Sequence, residues 1–232
     1  ELTNDQRKYF GLTLVNALWD RIEVKAGPYD SFSTYLYIHE DTIVKCVLSG
    51  NSRYSEYELS EKVSEDRKYL LPRTPKGKPV LLTSSSVQKR KGVGMQLDYE
   101  KKGIILYNHK TDRTYYSNYY LERDICDING FSKWVDQWCN ESTQPDLEDV
   151  FSFCQQKRKC VSYKEGDVFR FKIDRRLYGY GRVLLDYGKM RENKEPFYDH
   201  LMGKPLVCSV YHIATDRQDL SVEEIQGFRC RG

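Results

Sequence analysis

Four histidines, at positions 39, 109, 200 and 212, and seven cysteines, at 46, 126, 139, 154, 160, 208 and 230, could bind a metal or act as nucleophiles in this sequence. Their spacing argues against both roles. No two histidines stand four residues apart, and no two cysteines have the Cys-x-x-Cys separation of a zinc or redox site. Gly179-Tyr180-Gly181 and Gly92-Val93-Gly94 lack the remaining glycine and lysine spacing of a phosphate-binding loop. One acid–base pairing deserves a test: His212 with Asp167 or Asp199, as in a nuclease-like barrel. A histidine at a strand end, satisfied by local hydrogen bonds, is the plainer reading. No catalytic residue, metal ligand or cofactor site is therefore expected.

Binding is the chemistry left over. The chain has 19 tyrosines and 13% aromatic residues, and tyrosine suits both half-buried strand faces and protein interfaces. The net charge of +3 is too small to indicate a nucleic-acid partner by itself. Basic residues cluster, however, from Arg67 to Lys91, a run without a single acid, and again from Lys157 to Arg176. Solvated loops and strand faces explain such runs most simply. A nucleic-acid-binding protein would use them with tyrosines stacking on bases, and this is the alternative reading of the sequence. Cys46 and Cys208 fall in β-like runs, and Cys139 and Cys154 fall on apolar helical faces. Free buried thiols, and hence a reducing cytoplasm, are expected. No run approaches the ~20 apolar residues of a membrane-spanning helix.

The elements that must position a binding surface are mostly strands. Thr3 caps a short opening helix. Alternating or β-branched runs then predict strands at 19–24, 35–38, 42–48, 54–59, 69–71, 93–99, 103–107 and 113–120, with His39-Glu40-Asp41 as a hairpin turn. Two helices follow. One carries Phe131, Trp134, Val135 and Trp138 on a single face and takes Asn129 as its cap. The other carries Leu147, Val150, Phe151 and Cys154, opens at Thr143-Gln144-Pro145, and closes in Lys157, Arg158 and Lys159. A tryptophan pair could stack nucleobases, but helical spacing favours core packing. Strands are expected again at 167–173, 178–185 and 206–213. Asp174-Arg175-Arg176 is the turn between the first two, and Val168, Phe171 and Ile173 point inward if a bulge corrects their register. Ser221-Val222-Glu223-Glu224 has capping-box spacing.

Gly166 suits an unusual backbone angle at a strand start, with Asp167 bonding nearby amides. Gly179 and Gly181 leave room for a close approach of another chain or for a bend. Gly166-Asp167-Val168-Phe169, Tyr178-Gly179-Tyr180-Gly181-Arg182-Val183-Leu184, Gly203-Lys204-Pro205-Leu206-Val207 and Val210-Tyr211-His212 resemble the immunity protein 26 family over residues 163–232. The upstream region is similar to one that accompanies this module in some members. Its matching segments are Leu2-Thr3-Asn4, Gln6-Arg7-Lys8-Tyr9, Trp19, Leu70-Leu71-Pro72, Lys76-Gly77-Lys78, Trp134 and Trp138.

The resemblance implies a non-enzymatic bacterial protein that neutralises a cognate toxin, such as a nuclease, by protein–protein contact. Family members usually continue past residue 232, so a truncated final module is an expectation.

The fold expected is α+β. Residues 1–128 form an antiparallel β-rich domain, 129–160 a helical connector, and 161–232 a small β-barrel-like or sheet module. Arginine and tyrosine are favoured interface anchors, which selects Arg175, Arg176, Tyr178, Tyr180 and Arg182 as candidate toxin contacts. Glu165, Asp167 and Asp174 would matter instead against a basic toxin.

Overall fold

A computed structural model describes residues 1–24, 31–87, 89–99, 103–118, 125, 127–192 and 205–231. The chain divides into two compact units, residues 1–158 and 159–232. The α+β class holds: both sheets are antiparallel, and five short helices accompany them.

The first unit opens with helix α1 (Asn4–Lys8). The Thr3 hydroxyl accepts the Gln6 N–H, and the Gln6 side chain accepts the Thr3 N–H. Strands β1 (Asp20–Val24), β2 (Phe32–His39), β3 (Thr42–Gly50) and β4 (Arg53–Val63) then meander antiparallel. The β2–β3 turn puts Glu40 at φ 54°. β5 (Tyr69–Leu71) and β6 (Val80–Leu81) form an excursion off β4. β7 (Lys91–Asp98) returns to pair with β4, followed by β8 (Gly103–Asn108) and β9 (Arg113–Asn118). The β6 strand, inside the acid-free basic run, is too short to show a period in the sequence.

This sheet has two faces because side chains alternate. On one face Tyr37, Val47, Tyr54, Met95, Leu97, Ile104 and Leu106 form a core with Phe10 and helices α2 (Ile128–Glu141) and α3 (Gln144–Gln155). Phe10 stacks on Trp134 and Trp138, with centroids 5.8 and 5.4 Å away, so the tryptophan pair belongs to the core. On the other face Leu36, Ile38, Ile43, Cys46, Tyr57, Leu59 and Leu70 pack beneath the β5–β6 excursion. That cover reaches only part of the sheet.

The helix ends differ from the sequence reading. Asp127, not Asn129, caps α2, accepting the Gly130 N–H at 2.8 Å. α3 stops at Gln155, so the basic Lys157, Arg158 and Lys159 lie beyond it. Its buried residues are Val150 and Phe153 together with Asp146, whereas Phe151 is 67% exposed. Asp146 is spent at the helix start, where its carboxylate accepts both the N–H and the hydroxyl of Thr143.

The second unit is a four-stranded sheet in the order β10 (Val168–Lys172), β11 (Tyr178–Asp186), β12 (Leu206–Tyr211), β13 (Cys230–Arg231). Its edges do not pair with each other among the described residues, so it is an open sheet and not a barrel. α4 (Tyr187–Glu192) follows β11, and α5 (Val222–Gln226) begins at the Ser221–Glu224 capping box. Neither α4 nor β13 was foreseen. Among the described residues no helix is long and apolar enough to cross a membrane.

Candidate functional site

The β10–β11 hairpin carries all five candidate contacts and sets their geometry through its register. Phe169 pairs with Gly181, Arg170 with Tyr180, Phe171 with Gly179 and Lys172 with Tyr178. The pairing is regular, so the anticipated β10 bulge is absent; an irregularity lies instead in β11 between Val183 and Leu185. Before the hairpin, Gly166 adopts φ 93°, and the Asp167 carboxylate accepts the Lys164 N–H at 2.8 Å. Both are local roles.

One sheet face carries Val168, Arg170, Lys172, Tyr178, Tyr180 and Arg182. Tyr180 is 3% exposed and packs with Tyr211 and Ile225, while its hydroxyl donates to the Arg217 carbonyl at 3.0 Å. Tyr178 is also buried. Its backbone exchanges hydrogen bonds with Thr215, and the Arg170 guanidinium and Lys172 ammonium lie 5.0 and 5.8 Å from its ring centre. Arg170 is further fixed by donating to the Gln218 carbonyl at 2.5 Å. The two tyrosines are thus scaffold beneath a cationic surface.

The arginines do not form one cluster. Arg176 is exposed and Arg175 half-buried in the turn, whereas Arg182 is exposed near the other end of β11. At about 3.3 Å per residue, the four strand steps from Tyr178 put Arg182 about 13 Å along β11 from the turn that holds Arg176. Lys172 lies next to the turn that holds Arg175 and Arg176, whereas Arg170, paired with Tyr180, stands between the turn and Arg182. Arg170 and Lys172 escaped the sequence reading, although pairing the hairpin about its Asp174–Arg176 turn would have set both beside the tyrosines.

The opposite face explains the glycines. A Cβ on Gly179 would stand 2.5 Å from the Phe171 ring, and one on Gly181 would stand 2.5 Å from the Phe169 ring. The space beside Tyr180 is therefore filled by the molecule's own phenylalanines, not kept for another chain. Ile173, Val210 and Leu206 share this face and are 44%, 45% and 38% exposed.

Catalytic groups do not assemble here. His212 is exposed and makes no hydrogen bond or ion pair with Asp167; Asp199 and His200 lie outside the described residues. No group of three or more His, Cys, Asp or Glu that could hold a metal occurs among the described residues. Six described cysteines are free, and Cys160, Cys208 and Cys230 are exposed, so the expectation of buried thiols holds for Cys46 but not for these. The basic run 67–91 is partly committed as well: Arg67 pairs with Asp20 at 2.6 Å and Lys68 with Asp66 at 3.3 Å.

Residues 164–229, nearly the whole second unit, match the family model described as immunity protein 26. No curated protein and no solved structure matches the chain.

Proposed function

We propose that the chain is an immunity protein that neutralises a cognate bacterial toxin by binding it in the cytoplasm, without catalysis of its own. The match of residues 164–229 to the immunity protein 26 family carries this reading. The exposed Arg176 and Arg182 and the half-buried Arg175 supply the contacts, with Tyr178 and Tyr180 holding the strand that presents them. Arg170 and Lys172 extend the same cationic surface. Six free thiols among the described residues fit a reducing compartment.

The test is co-expression with the product of the adjacent gene. A stable complex that removes a toxic activity supports the reading, and failure to bind or neutralise any neighbouring product sinks it. Titration of labelled nucleic acid at two salt concentrations separates this reading from the alternative. Tight binding with a steep salt slope would point to a nucleic-acid-binding protein.

A further inference from the structure

The open part of the first unit's sheet contains a recess of about 170 Å³, lined by Ser55 and Tyr57 of β4, Gly94 and Gln96 of β7, Ile105 and Tyr107 of β8, and by Arg90 and His109. Register explains why it exists. Ser55 pairs with Gln96, Gly94 with Tyr107 and Gln96 with Ile105, so these residues share the face that the helices do not cover. Gly94 is the floor. A Cβ there would stand 3.1 Å from the Tyr57 Cβ, and 3.2 Å from His109 Nε2 and from the Glu56 carbonyl. The strands on either side of β7 stand about 10 Å apart, so a flat group entering the recess would lie between Tyr57 and Tyr107 and against the His109 ring, which already reaches over the glycine.

The Tyr107 hydroxyl donates to Asp112 and the Tyr57 hydroxyl is engaged by Cys46 and Arg90, but three other polar groups around the recess are unspent. The Ser55 hydroxyl, the Gln96 amide and the His109 imidazole make no hydrogen bond to another described residue. Arg90 lies over the Tyr57 ring at 4.4 Å and supplies a cation at the rim. The Glu56 carboxylate points to the other face, where Arg7 and Lys45 hold it. Burial first, and then the Arg90 charge, push the His109 pKa below 6.5, so the imidazole offers a hydrogen bond without a second full charge. Aromatic walls with a few convergent polar groups are the usual makeup of a small-molecule site. An apolar cavity of about 150 Å³ accepts benzene, which sets the scale.

We propose that this recess binds a small planar carboxylate of about the size of benzoate, its ring above Gly94 between Tyr57 and Tyr107 and its carboxylate on Arg90. The site does not depend on the toxin-neutralising reading, and either can fail alone.

The experiment titrates the full chain, with its histidines isotopically labelled, with benzoate, benzamide and acetate while the His109 ring resonances are followed by NMR. Benzoate should shift them saturably. Benzamide, lacking the charge, should bind at least about tenfold more weakly, as should acetate, lacking the ring. Arg90 is exposed, so Arg90→Gln should fold normally and lose about tenfold in benzoate affinity. Gly94→Ala should abolish the shift by filling the floor; if that variant does not fold, Arg90→Gln decides. No saturable shift, equal affinity for benzamide, or an unaffected Arg90→Gln variant would overturn the proposal.

Discussion

Glu56 shows how much one side chain can hold. It is fully buried, yet it receives Arg7 Nε at 2.7 Å, the Tyr54 hydroxyl at 2.6 Å and the Lys45 ammonium. Arg7 comes from the opening helix, so this carboxylate ties the chain's start to the sheet. Removing one partner from such a buried set strands the others without compensation. Glu56→Ala is expected to destabilise the first unit by about 3–5 kcal/mol, measured by urea unfolding. Asp5→Ala, which removes only the exposed pair with Lys8, should leave the midpoint unchanged. His109 sets a pH dependence of the opposite origin. Its folded pKa lies below 6.5 because burial, and secondarily Arg90, disfavour the charged ring. In acid the unfolded chain therefore binds the proton more readily than the folded one. The His109 contribution is fully present above pH 6.5 and lost as pH falls through the lower folded pKa. Unfolding midpoints between pH 5 and 8 should decline less steeply in His109→Gln, and an unchanged slope would contradict this.

At the level of elements, the Gly-Tyr-Gly of β11 is a packing device. Two phenylalanine rings lie across the glycines on one face while Tyr180 enters the core on the other. Gly181→Val forces the Phe169 ring aside and also meets the Ser209 carbonyl, 2.9 Å from a Cβ. The expected cost is about 1–3 kcal/mol, read from thermal unfolding, with partial rescue by Phe169→Ala. A rescue of zero would mean that backbone crowding, not the ring, sets the cost. The strands show what a sequence can carry. Alternation marks β1, β4 and β10, whereas β2 and β3, buried on both faces, show instead as runs of β-branched and aromatic residues. β6, β13 and α4 are too short for any period, and the cap of α2 slipped by two residues because both Asp127 and Asn129 are good caps. Phe151 was read as core in place of Phe153, since a stripe of four apolar residues fits the helix in either phase. For the candidate contacts, residue type was legible but exposure was not. Tyr178 and Tyr180 are buried by Thr215, Arg217 and Ile225, which lie some 35 to 45 positions downstream. The recess around Gly94 was invisible for the same reason: it gathers residues from three strands.

The distribution of charge over the whole chain gives the proposed interaction a sign. Residues 1–158 contain 23 basic and 23 acidic side chains, whereas residues 159–232 contain 14 and 11, so the net +3 belongs entirely to the second unit. Arg176 and Arg182 are exposed there, and complementary charge chiefly speeds encounter. A toxin docking on this surface should present acidic residues. Its association rate should then fall steeply as salt is raised, because exposed charges beyond about 10 Å are screened at 0.1 M. Arg176→Glu and Arg182→Glu together should slow association about tenfold at low salt and less at high salt, with little change in thermal stability, since neither side chain is buried. Stopped-flow mixing with the adjacent gene's product measures this directly. Faster association of the double variant would identify a basic toxin and move the contact to Glu165, Asp167 and Asp174. An unchanged rate at every salt concentration would remove the hairpin from the interface and leave the first unit to carry it.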